Sequence, residues 1–252
     1  MMTDVDFVVA YCQTLLKVDE FSDYAPNGLQ VAGSRPISRI VTGVTACQAL
    51  LDAAIADDAD AVLVHHGLFW KGQDWHPVGI LGRRIGTLMR AGVALLAYHL
   101  PLDAHPTLGN NVHLGQRLGA INATPTAAGN GLVWRGTLEP ARSAADWIPQ
   151  LTQAFDQTPL HIQAHERKLY QIAWCSGGAP GYLEAAAQLG GIDAYLSGEI
   201  SEPTTHQARE LGVDYFALGH HASERDGIRA LGAHLAAKFN LEHQFIDIPN
   251  PA

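Results

Sequence analysis

The sequence predicts an α/β fold built as two related lobes, and three observations carry that reading. Short runs rich in Val, Ile, Leu and aromatics alternate with stretches of helical periodicity, the pattern of parallel strands joined by crossover helices. The stretch from Arg39 to Gly67 is echoed by the stretch from Gln171 to Glu199. The 252 residues, 47% of them apolar, can build one large core or two smaller ones.

Taken in order, an amphipathic helix is expected over residues 5–17, with Thr3 as its N-cap. Ser22, Asp23, Pro26, Asn27 and Gly28 then mark a turn-rich stretch. Strands are expected near 39–45, 60–65, 93–99, 132–138, 169–175, 193–197, 213–218 and 243–247. Helices are expected near 47–57, 81–91, 108–118, 143–156, 181–190, 203–211 and 226–239. The stretch from Asn122 to Gly131 is rich in Ala, Thr, Gly, Asn and Pro and reads as a loop or boundary. The lobes are therefore expected over 1–125 and 126–252, with 132–168 either an insertion or the opening of the second.

The repeat is visible in aligned pieces. Asp60-Ala61-Val62-Leu63-Val64-His65-His66 matches Asp193-Ala194-Tyr195-Leu196-Ser197-Gly198-Glu199. Each copy is preceded by a helix, with Leu51-Asp52-Ala53-Ala54 in the first and Leu183-Glu184-Ala185-Ala186 in the second. The first copy runs on to His99-x-x-x-Asp103 and the second to His220-x-x-x-Glu224.

Three apolar runs thus end in metal-ligand residues: His65-His66, His99 to His105, and His220-His221 to Glu224. Open α/β sheets build their sites at the carboxyl ends of strands. Imidazole and carboxylate gathered there point to a metal site in the cleft between the lobes, with His65, His66, Asp103, His220 and Glu224 as ligands. Adjacent histidines on a strand face opposite ways, so two ions suit His65 and His66 better than one. Plainer readings stand beside this one. The paired histidines also fit one packed ring and one exposed ring, Asp103 is also placed to cap a turn, and Glu224 to complement a helix N-terminus.

Glu199 occupies the repeat position of the histidine pair, and it and His99 are candidates for moving a proton. Trp70 and Lys71 follow the histidine loop, where they would stack on a base and pair with a phosphate or simply form a packed lip. Cys175 to Gly181 could cradle a phosphate, but a tight turn is the favoured reading. Ser223 lacks a nucleophile-elbow context.

A net charge of −9 argues against nucleic-acid backbone binding. No apolar run approaches the ~18 residues of a membrane span, and the start lacks the pattern of a secretory signal. Three scattered cysteines fit a reducing cytoplasm.

Tyr24-Ala25-Pro26-Asn27-Gly28-Leu29-Gln30-Val31, Val64-His65-His66-Gly67, His99-Leu100-Pro101-Leu102-Asp103-Ala104-His105 and Gly219-His220-His221-Ala222-Ser223-Glu224-Arg225 resemble the bacterial YbgI-type branch of the Nif-three-like family. Its members are labelled dinuclear-metal-centre proteins, or type 2 homologues of GTP cyclohydrolase 1. The resemblance covers nearly the whole chain. It implies two α/β lobes, a toroidal homohexamer, and His65, His66, Asp103, His220 and Glu224 as ligands of two divalent ions, Zn, Mn, Fe or Co. The function expected from these readings is hydrolysis of a small nucleotide-like substrate. The rival classes are a metal-handling protein without turnover and a binding scaffold.

Overall fold

The structure, a computed structural model, describes residues 2–252. In chain order its helices and strands are α1 (Val5–Leu15), β1 (Gly28–Val31), β2 (Arg39–Thr45), α2 (Gln48–Ala56), β3 (Ala61–His66), α3 (Gly79–Ala91), β4 (Ala94–Ala97), α4 (Leu100–Ala104), α5 (Asn110–Arg117), β5 (Ile121–Pro125), β6 (Trp134–Arg142), α6 (Ala144–Phe155), β7 (Leu160–Ile162), β8 (Leu169–Trp174), α7 (Leu183–Ala187), β9 (Ala194–Ser197), α8 (Thr204–Leu211), β10 (Asp214–Ala217), α9 (His220–Ser223), α10 (Arg225–Phe239) and β11 (Glu242–Phe245). Most expected elements are present. Asp4, not Thr3, caps α1, accepting a hydrogen bond from the Asp6 amide, while Thr3 bridges to Ile37.

The chain folds as two compact units. The first holds the residues up to Leu102 together with Gly227–Ile248, and the second holds Asp103–Asp226 and Pro249–Ala252. The chain leaves the first unit within α4 and returns within α10. Composition suggests a division at 125/126, but Pro125 ends β5, which pairs antiparallel with β6. Every residue of β5 is exposed, so its polar sequence reads as a loop although it is a sheet edge.

The sheet of the first unit has the order β1-β4-β3-β2-β11. Strands β11, β2, β3 and β4 run parallel, and β1 is antiparallel to β4. Strand β4 is buried throughout and β3 up to His65, as befits parallel strands covered on both faces. Val41, Val62, Val64 and Leu95 of the sheet pack with Leu50, Leu51 and Ala54 of α2 and Leu88 of α3. Each of the valines and leucines contributes about 1.5–3 kcal/mol on burial.

The sheet of the second unit has the order β5-β6-β8-β9-β10-β7. Here β8, β9 and β10 are parallel, while β6 and β7 run antiparallel to β8 and β10. Trp134, Ile172, Trp174, Leu196 and Phe216 pack with Trp147, Leu151 and Phe155 of α6. Helix α6 starts at Ser143, whose side chain accepts from the Asp146 amide. The segment 132–168 is therefore part of this sheet and its covering helix.

The topology fits the expected repeat closely. Ile40, Ala61 and Ala94 are cross-strand neighbours in the first unit, and Ile172, Ala194 and Asp214 are neighbours in the same register in the second. Each unit adds an antiparallel edge strand beside its third parallel strand, β1 on β4 and β7 on β10. One carboxylate recurs with its task. Asp60 accepts from the amides of Ser38 and Arg39, and Asp193 from those of Tyr170 and Gln171. Each also pairs with an arginine just upstream of that strand, Arg35 and Arg167. Among the described residues, no helix is long and apolar enough to cross a membrane.

Burial alone would raise the Asp60 pKa, but the Ser38 hydroxyl, the two amides and the Arg35 charge outweigh it and hold the carboxyl below its ordinary value. A depressed native pKa gives stability that is present above the unfolded value, about 4, and is lost as pH falls through the native one. Asp60→Ala is expected to cost about 2 kcal/mol at pH 7 in urea unfolding. The gap from the parent chain should shrink as the titration is carried below pH ~4. An unchanged midpoint at neutral pH would contradict this anchoring.

Candidate metal centre

Strand β3 delivers His65 and His66. His65 is fully buried and His66 half-buried. Neighbours on a regular strand face opposite ways, yet these rings lie 4.6 Å apart, centroid to centroid, at the point where β3 ends. His99, two residues past β4, brings its ring within 5.0 Å of His65 and 5.7 Å of His66. The three side chains offer ligand atoms that all lie within 4.8 Å of one another.

In each of these rings Nδ1 is held from behind. The Nδ1–H of His65 donates to the Tyr98 carbonyl at 2.9 Å. A carbonyl only accepts, so the lone pair of His65 sits on Nε2. His66 Nδ1 lies 3.1 Å from the Thr45 hydroxyl. His99 Nδ1 donates to the Asp23 carboxylate at 2.8 Å. Metal-binding histidines are oriented in this way, through the nitrogen that does not bind.

The turn-rich stretch before β1 is the support for this arrangement. Besides the His99 ring, Asp23 accepts from the Ala25 and Leu100 amides and the Asn27 side chain, all at 3.0 Å. Burial would raise its pKa, but the bond and charge of His99, with those further donors, bring it down to about 2. Asn27 in turn accepts from the His99 amide at 2.7 Å. Gln30 accepts from the Leu68 amide at 2.7 Å, so closely packed that a Cβ on Gly67 would lie 2.2 Å from its Oε1. Tyr24 meets the edge of His99, and Trp70 packs against Tyr24, His66 and His99. Tyr24 is 52% exposed and Trp70 half-buried, and the Lys71 side chain is exposed beside them.

The second unit holds candidate carboxylates and an imidazole of its own. Asp103, in α4, is buried and accepts from Asn110 Nδ2 and the Ser176 hydroxyl, each at 2.9 Å. Asn111 fixes the same corner: its side chain accepts from the Ser176 amide, and its carbonyl accepts from the Trp174 indole. Glu224 is buried, and its carboxylate lies 3.1 Å from His220 Nε2. His220 Nδ1 lies 2.7 Å from the exposed Glu199 carboxylate. Burial would lower the His220 pKa, but Glu224 first and then Glu199 raise it to about 9. These carboxylates call for positive charge, which a proton on His220 supplies and a cation would replace.

Glycines make room for this cluster. Gly177 has φ +66°, and a Cβ there would lie 2.0 Å from Glu224 Oε1. At Gly198 a Cβ would lie 2.6 Å from the His220 Cα. The loop from Cys175 to Gly181 is a packed turn, as favoured: the Gly177 amide donates to Ser223 and the Ala179 amide to Ser197. Cys175 beside it is buried, which with the charges of Asp103 and Glu224 pushes its thiol well above the ordinary value.

His65, His66 and His99 are thus gathered in one unit, and Asp103, His220, Glu224 and Glu199 lie in the other. His105 caps its own turn, accepting from the Leu108 amide. Sequence reasoning missed Thr45, Asp23, Asn110, Asn111 and Ser176, which hold the candidate ligands. Asp23 entered the sequence reading only as a turn residue and Ser176 only as part of the Cys175–Gly181 loop.

The family model for Duf34/NIF3 (NGG1p interacting factor 3) matches residues 3–251. Relatives named GTP cyclohydrolase 1 type 2 homolog include one from Allochromatium vinosum, 54% identical over 252 residues and covering 100% of this chain and 99% of its own. Another, from Pseudomonas aeruginosa, is 50% identical and covers 94% of each chain. Among solved structures, protein ybgI, of unknown function, matches with a TM-score of 0.94 at 42% identity, covering 99% of this chain and 100% of its own. TTHA1606 from Thermus thermophilus matches with a TM-score of 0.90 at 33% identity over the same shares.

Gly177→Ala is expected to destabilise the chain by more than ~1 kcal/mol, because an added Cβ meets both a left-handed backbone and the Glu224 carboxylate. Metal retained after loading and dialysis should fall as Glu224 is displaced. Parent-like melting and parent-like metal content would show that this close approach is dispensable.

Proposed function

The chain belongs to the Duf34/NIF3 family, and we propose that it is a dinuclear, divalent-metal-dependent hydrolase acting on a small nucleotide-like substrate, of cyclohydrolase or phosphohydrolase type. The donor set carries this reading. It comprises imidazoles whose Nδ1 atoms are already held, and two buried carboxylates, Asp103 with two donors and Glu224 beside His220.

In this reading His65, His66, Asp103, His220 and Glu224 hold two ions. All five belong to groups of His, Asp and Glu side chains that could hold a metal. Imidazole with carboxylate suits Zn, Mn, Fe or Co. A bound pair of such ions supplies Lewis-acid polarisation of the scissile bond and activation of water.

The remaining steps fall to the protein. Asn110 and Ser176 hold the Asp103 carboxylate in place through two donated hydrogen bonds. Glu199 positions His220 through Nδ1 and, being exposed, is the group we assign to proton exchange with the substrate. His99 is the alternative group for that step. Trp70 and Tyr24 offer aromatic faces to a planar base, and Lys71 offers a cation to a phosphate. The free cysteines support a cytoplasmic setting, and the family resemblance a homohexamer, which light scattering of the purified chain would test.

His66→Ala and Asp103→Ala are each expected to abolish turnover across a nucleotide panel while leaving the chain folded. Bound metal should fall from about two ions per chain. Turnover surviving in a verified metal-free double variant would overturn the hydrolase reading. Metal transfer without turnover by the parent chain would favour a metal-handling role instead. Trp70→Ala is expected to raise KM about tenfold with little change in kcat. A loss confined to kcat would remove Trp70 from substrate binding.

A further inference from the structure

His99 is a histidine built like a ligand but without a place in the five-residue set. Its ring is buried, with its side chain 7% exposed. Its Nδ1 is bound to Asp23, its amide to Asn27, and its flanks meet Tyr24 and Trp70. A histidine serving only to fill space needs neither a carboxylate on Nδ1 nor a second side chain on its amide. The Asp23 bond leaves Nε2 as the outward nitrogen, and the ligand atoms of His65, His66 and His99 lie within 4.8 Å of one another. All three residues lie in the first unit.

We infer that His65, His66 and His99 form a tris-imidazole site for one divalent cation, complete within the first unit and independent of the carboxylates of the second. Three neutral nitrogens favour borderline cations such as Zn, Co or Fe over Mg and Mn, which prefer oxygen. The site shares His65 and His66 with the proposed metal pair, so it is an alternative seat for one ion. It rests on that reading only in taking these two histidines as ligands. Asp23 is its positioning residue and acts through His99.

The test uses the full chain and cobalt(II) alone. Asp103→Asn with Glu224→Gln removes the carboxylates that the pair requires. This double variant is expected to keep one Co(II) per chain, with visible absorption bands that report nitrogen ligation, and to bind Mn(II) far more weakly. Adding His99→Ala should weaken Co(II) binding at least 100-fold, beyond the ~10–100-fold range of outer-shell changes. Adding Asp23→Asn instead should weaken it within that range. His99→Gln, whose amide still donates to Asp23, carries the same test if the alanine variant does not fold. Unchanged Co(II) affinity without His99, or a folded double variant that binds no Co(II), would overturn the site. Glu224→Gln in the otherwise parent chain tests the metal pair separately, through its stoichiometry.

Discussion

An imidazole binds a metal well only when its other nitrogen is fixed, because a ring that still rotates must lose that freedom on binding. Here the fixing is done four times with three chemistries. A backbone carbonyl holds His65, a hydroxyl holds His66, and carboxylates hold His99 and His220. Hydrogen bonds to charged groups contribute about 1.5–3 kcal/mol each, enough to select one rotamer. The partners also differ in what they do to the ring. Glu224 and then Glu199 raise the basicity of His220, while the Tyr98 carbonyl chiefly sets the tautomer of His65. Each candidate ring is therefore oriented before any ion binds.

The carboxylates obey the complementary rule. Asp103 and Glu224 are buried, Asp103 beside the donors of Asn110 and Ser176 and Glu224 beside the His220 ring. Burying a carboxylate without a counter-charge is costly. The protein answers with donors on Asp103 and a readily protonated imidazole beside Glu224. The glycine at position 177 belongs to the same solution, since a side chain there would occupy the space of the carboxylate oxygen. Close approach of main chain to carboxylate is what sets the sequence of that loop.

The parallel strands were legible because burial on both faces leaves an unmistakable apolar run, as in Ala61–Val64 and Ala94–Ala97. The candidate ligands were legible because they follow those runs directly. Of the strands paired antiparallel, β6 was expected at 132–138 but β1, β5 and β7 were not. Gly28–Val31 reads as the end of a turn, Ile121–Pro125 is wholly exposed, and Leu160–Ile162 is too short to show a period. The supports were hidden for another reason. Asp23 lies 76 residues from His99, and Ser176 lies 73 from Asp103, so no local pattern links them. The division of the chain was equally non-local: the final helix and strand return to the first unit, and a boundary sought in composition cannot register a return.

The two sheets share a register and an aspartate anchor, yet they end their second parallel strands differently. Where the first has His65 and His66, the second has Gly198 and Glu199. A histidine in place of Gly198 would collide with the main chain of His220, and one in place of Glu199 would remove the carboxylate that orients that ring. The second unit therefore gives up its strand-end imidazoles so that a helix-borne imidazole can approach. In the first, Gly67 follows the pair and leaves space for the Gln30 side chain, which accepts from the Leu68 amide. If one ancestral unit was duplicated, the part retained in both copies is the anchor at the start of the strands, Asp60 and Asp193. The chemistry diverged at their far ends, where a change of side chain does not disturb the ladder that holds the sheet.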